Sequence, residues 1–138
     1  MNHSIVYLGC FIDFATFQSA VQKIRFNPLE RDIKKPHVTF EYKPKEIDRT
    51  LFGEEVKIKV IGYGNDGINE GVKVQVFSKN PTIQELYEKI EVPHITIAVS
   101  SGGKPVNTRF LKFKEIEPFE LTGIYGGCDI ADVVQLKP

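Results

Sequence analysis

The sequence predicts an α+β domain built from two related halves. Runs rich in β-branched and aromatic residues, separated by turn signals, predict a series of strands. Two segments, 13–25 and 81–90, carry apolar residues at helical spacing instead. A five-residue pattern (proline, histidine, apolar, threonine, apolar) occurs twice, at 36–40 and 93–97. At 138 residues we expect one domain, 1–138, with halves of roughly 1–70 and 71–138.

The first half is predicted to start with a strand followed by a helix. Residues 5–12 are rich in β-formers, and Asp13 can then cap a helix that runs to about residue 25. Asn27-Pro28 ends the helical pattern, and a basic loop leads into the first histidine pattern. Strict alternation then predicts a half-buried strand at 56–63. The residues at helical spacing are Phe14, Phe17, Val21 and Ile24, and the basic residues of the loop are Arg25, Arg31, Lys34 and Lys35.

The second half is predicted to repeat this order. A turn at 64–67 precedes a strand at 72–77, and Pro81 is suited to the first position of the next helix. That helix leads directly into the second histidine pattern. A glycine-rich loop at 100–105 follows, and the remaining predicted strands are 110–113, 119–125 and 130–136.

Each histidine pattern places polar and apolar side chains on opposite faces of a strand. Because side chains alternate in a strand, His37 shares a face with Thr39, and His94 shares a face with Thr96. With 3 His and 7 Thr in the chain, two such pairs would arise by accident in about one sequence in a hundred. Paired titratable groups are typical of functional sites, although two half-buried structural histidines would give the same pattern.

The two helices also echo each other. The first contains Thr16-Phe17-Gln18 and the second contains Thr82-Ile83-Gln84. A strand, a helix and a histidine strand, stated twice, is the order that duplication of a half-domain would leave. Pseudo-two-fold symmetry would bring the two histidine strands face to face across a cleft.

The paired His-x-Thr patterns, each with apolar residues at the second and fourth positions, resemble the signature of the two-histidine (2H) phosphoesterase superfamily. This superfamily includes LigT-like RNA 2′–5′ ligases, cyclic phosphodiesterases and phage nucleases that degrade cyclic oligonucleotide signals. The resemblance implies a two-lobed, pseudo-symmetric fold with antiparallel sheets backed by helices around a central cleft. The chain is compact for the superfamily, which leaves the substrate open more than the chemistry.

The resemblance implies that His37 and His94 are the catalytic pair and that Thr39 and Thr96 bind phosphate. Imidazoles titrate near neutrality, so one ring can take a proton while the other gives one. Threonine hydroxyls can donate hydrogen bonds to the non-bridging oxygens of the phosphate. No metal or other cofactor is expected, since the remaining histidine, His3, lies at the terminus outside any metal-ligand spacing. Either histidine can be the base.

Four further residues are candidates for substrate binding. Tyr7 lies within the first strand, and Glu120 and Thr122 alternate with apolar neighbours, so these three can face the cleft. Lys104 follows the second histidine pattern and can approach a phosphate. Three of them have a simpler alternative, which is a core or surface role for Tyr7, solvent for Glu120 and a hairpin turn for Lys104. Arg31, Lys34 and Lys35 can attract an anionic substrate or simply be solvated.

Composition narrows the class of partner. The formal net charge is zero, which disfavours binding to a long nucleic acid duplex and favours a small nucleotide or an RNA end. Cys10 and Cys128 match neither a metal spacing nor a disulfide framework, so we expect a cytoplasmic protein. The chain has neither a signal-peptide pattern nor an apolar run long enough for a membrane span. A monomer is expected.

Three functions fit the sequence. The first is a metal-independent phosphodiesterase acting on a 2′,3′-cyclic phosphate, a 2′–5′ linkage or a cyclic oligonucleotide. The second is a non-catalytic module that binds a nucleotide or an RNA end, and the third is an α+β interaction domain with unrelated histidines. Binding alone does not require two titratable imidazoles, so the paired patterns favour the enzyme.

Overall fold

Eight strands form one antiparallel sheet, and two short α-helices contribute to its hydrophobic core. The computed structural model describes residues 4–138, so His3 lies outside the described residues. The strands are β1 (Ile5–Phe11), β2 (Arg31–Asp32), β3 (His37–Tyr42), β4 (Glu55–Asn65), β5 (Asn69–Phe77), β6 (His94–Val99), β7 (Lys114–Asp129) and β8 (Val134–Gln135). The helices are α1 (Phe14–Val21) and α2 (Pro81–Glu88), with 3₁₀ helices at Gln22–Ile24, Arg49–Leu51 and Pro105–Phe110.

The strand order places the histidine strands far apart in the sheet and yet in contact. The order is β2-β6-β5-β4-β7-β1-β3, with β8 paired to β7. Although β3 and β6 lie towards opposite ends of this order, they contact each other without pairing. The sheet therefore curves until the two histidine strands meet. The predicted α+β class is confirmed, but β4 pairs with β7, so the halves share one continuous sheet instead of forming separate sheets.

The topology has the same form in both halves. In β1-α1-β3 and in β5-α2-β6, two antiparallel neighbours are joined through a helix, and the second strand starts at the motif histidine. Without the short β2 and β8, the strand order is β6-β5-β4-β7-β1-β3. Exchanging β1 with β5, β3 with β6 and β4 with β7 gives the same order read from the other edge of the sheet. Duplication of a half-domain stays a prediction, and this topology is the arrangement it would produce.

A glycine faces each motif threonine from the neighbouring strand. Gly9 pairs with Thr39 and Gly71 pairs with Thr96, and a register shift immediately precedes each glycine. A side chain at either glycine would collide with the backbone carbonyl of the residue before the threonine, 2.8 Å away for Gly71. Glycine thus allows each histidine strand to approach its neighbour closely at the same position.

The helix starts follow the local sequence. The Asp13 carboxylate accepts a hydrogen bond from the backbone N–H of Thr16 at 3.0 Å, as the sequence predicts for an N-cap. Asn80 does the same for α2, because its side-chain oxygen accepts from the N–H groups of Thr82 and Ile83 at 2.9 and 3.2 Å. The echoed residues Phe17 and Ile83 are both buried in the core, and α1 also buries Val21 there.

Several sequence-based assignments differ from the structure. Of the closing strand predicted at 130–136, only Val134–Gln135 forms a strand, and α1 ends at Val21 and continues as a 3₁₀ helix. The strand predicted at 110–113 is wrong, because Pro105–Phe110 is a 3₁₀ helix and β7 begins only at Lys114. The strand predicted from residue 72 begins at Asn69, and the basic loop contains the short β2. Cys10 and Cys128 are buried as free thiols. Within the described part of the chain, neither α-helix has the length and hydrophobicity that a membrane span requires.

Candidate active site

A cleft of about 830 Å³ lies where β3 and β6 meet. It is lined by both motif histidines, both motif threonines and Tyr7, so five of the eight residues predicted from the sequence lie around one cavity. The rest of the lining comes from the end of β3, from the loops before β3 and β6, and from the 3₁₀ helix that follows β6. These residues are Ile33, Tyr42, Ile90, Glu91, Val92, Pro105, Val106, Arg109 and Phe110.

His37 is held by a backbone hydrogen bond and by aromatic packing. Its Nδ1 lies 2.7 Å from the carbonyl oxygen of Lys35. The ring stacks on Tyr7 with centroids 4.8 Å apart and contacts Phe11 at 5.4 Å. Burial raises the pKa of the Tyr7 phenol, so that ring stays neutral and supports His37 chiefly by packing. Tyr7 thus contacts the predicted catalytic histidine in addition to lining the cleft.

His94 is held in the same way by its own strand. Its Nδ1 lies 2.8 Å from the carbonyl oxygen of Val92, again the residue two positions earlier. A carbonyl oxygen only accepts hydrogen bonds, so each Nδ1 must carry the proton. In the neutral ring, Nε2 then has the free lone pair. Both histidines are consequently fixed in the tautomer whose Nε2 can accept a proton or, once charged, donate one.

The cleft lowers the pKa of both histidines. For His37 the main cause is burial, opposed by the hydrogen bond to the Lys35 carbonyl and reinforced by the charge of His94. For His94 the main cause is again burial, opposed by the Val92 carbonyl and reinforced by the charge of Arg109. The two imidazoles are therefore close enough that a charge on His94 disfavours a charge on His37.

The two motif threonines differ in their hydrogen bonds. Thr39 is half-buried, and among residues 4–138 its hydroxyl has no hydrogen-bond partner in the protein. Thr96 is buried, and its hydroxyl lies 3.0 Å from the carbonyl oxygen of Pro105 and 2.7 Å from the hydroxyl of Thr108. Thr39 is free to bind a ligand, whereas Thr96 already has two partners in the protein.

Arg109 and two exposed aromatic rings also line the cleft, and the sequence analysis did not select them. Arg109 contacts the ring of Phe110 at 4.7 Å, and it forms no salt bridge within the described residues. Phe110 is 70% exposed and Tyr42 is 64% exposed. Only their position in the chain could have indicated these residues, since Tyr42 is the last residue of the first histidine strand and Arg109 lies in the segment after the second.

Comparison with known proteins shows the fold. No protein-family model and no curated protein matches the chain. A crystal structure of a fungal RNA kinase is similar, with a TM-score of 0.60 and 13% sequence identity. The two chains share a fold. The match covers 91% of this chain and 46% of the kinase chain, so this chain spans about half the length of that protein.

Three residues predicted to bind substrate lie outside the cleft lining. Glu120 and Thr122 are exposed on β7, where they pair with Lys59 and Lys57 of β4 in the middle of the sheet. They share a sheet face with the histidines, as alternation predicts, but they are several strands away from them. The side chain of Lys104 is exposed, and its carbonyl oxygen accepts a hydrogen bond from Asn69 at 2.7 Å.

The basic residues before the first motif also lie outside the lining. Arg25 forms an ion pair with the buried Glu70, with Nη2 and Oε1 2.6 Å apart, so its charge is balanced within the protein. Lys34 lies over the ring of Phe14, and Lys35 pairs with Asp132 at 3.2 Å. Among residues 4–138, no three His, Cys, Asp or Glu side chains form a group suited to a metal ion.

Proposed function

We propose that this protein is a metal-independent 2H-type phosphodiesterase that hydrolyses a nucleotide phosphodiester through His37 and His94. The observation that supports this most strongly is the matched pair of imidazoles on one cleft. Each has Nδ1 bound to the carbonyl two residues earlier and Nε2 left to react. A binding module gains nothing from holding two histidines in this same reactive tautomer.

The chemistry requires two proton transfers on opposite sides of a phosphorus atom. One neutral imidazole takes a proton from water at Nε2 as the water oxygen attacks phosphorus. The other, protonated, donates its Nε2 proton to the leaving oxygen as the phosphorus–oxygen bond breaks. The products are a phosphomonoester and a free hydroxyl. The Thr39 hydroxyl would donate a hydrogen bond to a non-bridging oxygen, where negative charge increases in the transition state.

The cleft lining supports a nucleotide or an RNA end as the substrate. Tyr42 and Phe110 expose aromatic rings on which a base can stack, a contact worth about 1–3 kcal/mol for each base. Ile33 and Val106 add apolar surface to the same lining. The fungal protein that shares the fold is an RNA kinase. A 2′,3′-cyclic phosphate, a 2′–5′ linkage and a cyclic oligonucleotide remain the candidate substrates.

Turnover of a defined substrate panel, measured with chelator present, tests this proposal. The panel contains 2′,3′-cyclic nucleotides, 2′–5′ dinucleotides and cyclic dinucleotides. We expect chelator-resistant cleavage of at least one class, and the position of the phosphate in the product identifies the leaving oxygen. Tight binding of panel members without cleavage would refute the enzyme and favour the non-catalytic nucleotide-binding module.

The lowered histidine pKa values predict an acidic optimum. In the free enzyme, one imidazole must be protonated and the other neutral, and burial lowers the pKa of both. We therefore expect a bell-shaped profile of kcat/KM whose maximum lies below the ordinary histidine pKa of 6.5. Above that maximum the rate falls about tenfold for each pH unit, because the acid loses its proton.

Initial rates measured from about pH 4.5 to 8.5 would check this profile. Stability has to be followed in parallel, since a lowered pKa in the folded state makes protonation destabilising. The histidine contribution to stability is present above the ordinary pKa and is lost as the pH falls through the lowered values. An optimum above pH 7 would contradict the assignment of these two imidazoles as the acid and the base.

A further inference from the structure

The two His-x-Thr motifs place their threonines in different hydrogen-bond environments. Thr39 has no hydrogen-bond partner within the described protein, whereas Thr96 lies in a buried polar cluster with Asn69 and Thr108. These three side chains are all at least 92% buried. The two threonines are equivalent in the repeat but not in their surroundings, because the buried cluster fixes the direction of the Thr96 hydroxyl.

The direction of each hydrogen bond in this cluster follows from its two outer groups, an amide nitrogen that only donates and a carbonyl oxygen that only accepts. The Asn69 amide nitrogen can only donate, and it lies 2.7 Å from the Lys104 carbonyl oxygen and 3.0 Å from the Thr108 hydroxyl. Thr108 therefore accepts from Asn69. A carbonyl oxygen only accepts, so the single Thr96 proton goes to Pro105 at 3.0 Å, and the 2.7 Å hydrogen bond between the two hydroxyls is then donated by Thr108. The hydroxyls of Thr96 and Thr108 and the amide nitrogen of Asn69 therefore all have partners within the protein, and the single Thr96 proton is already bound to the Pro105 carbonyl.

This hydrogen-bonded chain fastens the 3₁₀ helix Pro105–Phe110 to the sheet. Asn69 belongs to β5 and Thr96 to β6, while the groups they bind, including Thr108, lie at the start and within the 3₁₀ segment. The methyl group of Thr108 packs where a side chain at position 71 would otherwise be, since Gly71 leaves that space open. The same 3₁₀ segment presents Arg109 to the cleft, near enough that its charge affects His94.

We propose that Arg109 is the phosphate-binding residue beside His94, and that Thr96, Thr108 and Asn69 are positioning residues that hold Arg109 in place. This inference rests on the proposed function for the identity of the reaction. An arginine guanidinium presents several N–H donors and a permanent positive charge to phosphate oxygens. The two halves then bind the phosphate differently, through the Thr39 hydroxyl beside one histidine and through Arg109 beside the other.

A double-mutant cycle separates a positioning role for Thr96 from direct contact. Arg109→Gln is expected to lower kcat/KM by roughly 10²-fold, as loss of a transition-state donor does. Thr96→Val should lower it about tenfold in the native background, but less than about twofold when Arg109 is already Gln. Thr39→Val is the matched control, because a direct contact loses the same factor in both backgrounds.

Equal losses from Thr96→Val in both backgrounds would overturn the proposal, because they would mean that Thr96 contacts the phosphate itself. Thr108→Val, which breaks the same hydrogen-bonded chain from a residue outside the cleft lining, should reproduce the behaviour of Thr96→Val. Thr96→Ser keeps the hydroxyl and should restore activity. This rescue separates the loss of a hydrogen bond from a general folding defect.

Binding of a nucleoside 3′-monophosphate, followed by NMR of the two histidine side chains, gives a readout that does not depend on turnover. Arg109→Gln is expected to weaken the Kd about tenfold or more and to raise the pKa of His94, since a nearby positive charge is removed. An unchanged Kd would overturn the role of Arg109. A wild-type protein that binds this probe but cleaves no panel member would refute the proposed function alone.

Discussion

Replacing His37 or His94 with alanine is expected to lower kcat/KM by about 10²- to 10⁴-fold on any substrate that the native protein cleaves. Both histidines line the cleft, and each is fixed by a backbone carbonyl in the tautomer that leaves Nε2 to react. Because the acid and the base act in one step, the double variant should be scarcely slower than either single variant. Steady-state rates with chelator present measure this.

Asparagine variants control for the structural part of this loss. Asn at position 37 or 94 keeps an N–H donor for the Lys35 or Val92 carbonyl but has no titrating nitrogen, so it should remain folded and inactive. Lys79→Ala, an exposed position outside the cleft lining, should retain full activity. A histidine variant that kept more than a tenth of native kcat/KM would exclude that histidine from the chemistry.

Replacing Glu70 with alanine is expected to destabilise the protein by about 3–5 kcal/mol. Glu70 is fully buried, and its carboxylate binds Arg25 through Nε at 2.8 Å and Nη2 at 2.6 Å. It also accepts from the backbone N–H of Leu29 at 3.0 Å and from the hydroxyl of Tyr63 at 2.7 Å. Alanine would leave these donors without that acceptor and the Arg25 guanidinium largely uncompensated. The urea midpoint of unfolding measures the loss.

A surface ion pair on α2 is the control that separates the effect of burial from the loss of a carboxylate. Glu85 lies 4.0 Å from Lys89 on α2, and both side chains are largely exposed. Glu85→Ala should change the free energy of unfolding by at most about 0.5 kcal/mol. Glu70→Gln, which keeps the shape and one acceptor oxygen, should lie between the two. If Glu70→Ala cost no more than Glu85→Ala, the buried network would not hold the loop before β2 onto β5.

Local pattern was sufficient to predict the histidine strands and the start of the first helix. The side-chain alternation that placed His37 and Thr39 on one face is a property of any strand, and Asp13 caps α1 through a residue only three positions away. The α+β class followed from the same kind of information. Each of these features depends on residues close together in the chain.

The features that the sequence did not reveal depend on distant residues. Asn69 and Glu70 have low strand propensity, so the strand was predicted to start later, yet their partners Arg25 and Thr108 draw them into β5. Arg109 lies on the cleft because Thr96 and Thr108 fold its segment back onto the sheet. Lys104 was the nearer cation in sequence, but a 3₁₀ turn presents Arg109 instead.

The local sequence pattern also could not predict that the two halves form a single continuous sheet. Two halves that repeat one order of elements can form two sheets or one, and the choice depends on whether β4 pairs with β7. That pairing joins residues of both halves over most of the length of β4. It contributes no signal to either segment alone, because strand pairing is a contact between residues far apart in the chain.

A substrate whose leaving oxygen is replaced by sulfur tests the two-histidine mechanism most directly. Thiols ionise near pH 8.5, so a thiolate leaves without help from a general acid. We predict that one of His37→Ala and His94→Ala regains most of the native rate on this substrate while the other stays inactive, which also assigns acid and base. Equal loss of activity in both variants, with no recovery on sulfur, would contradict the proposed division of roles between His37 and His94.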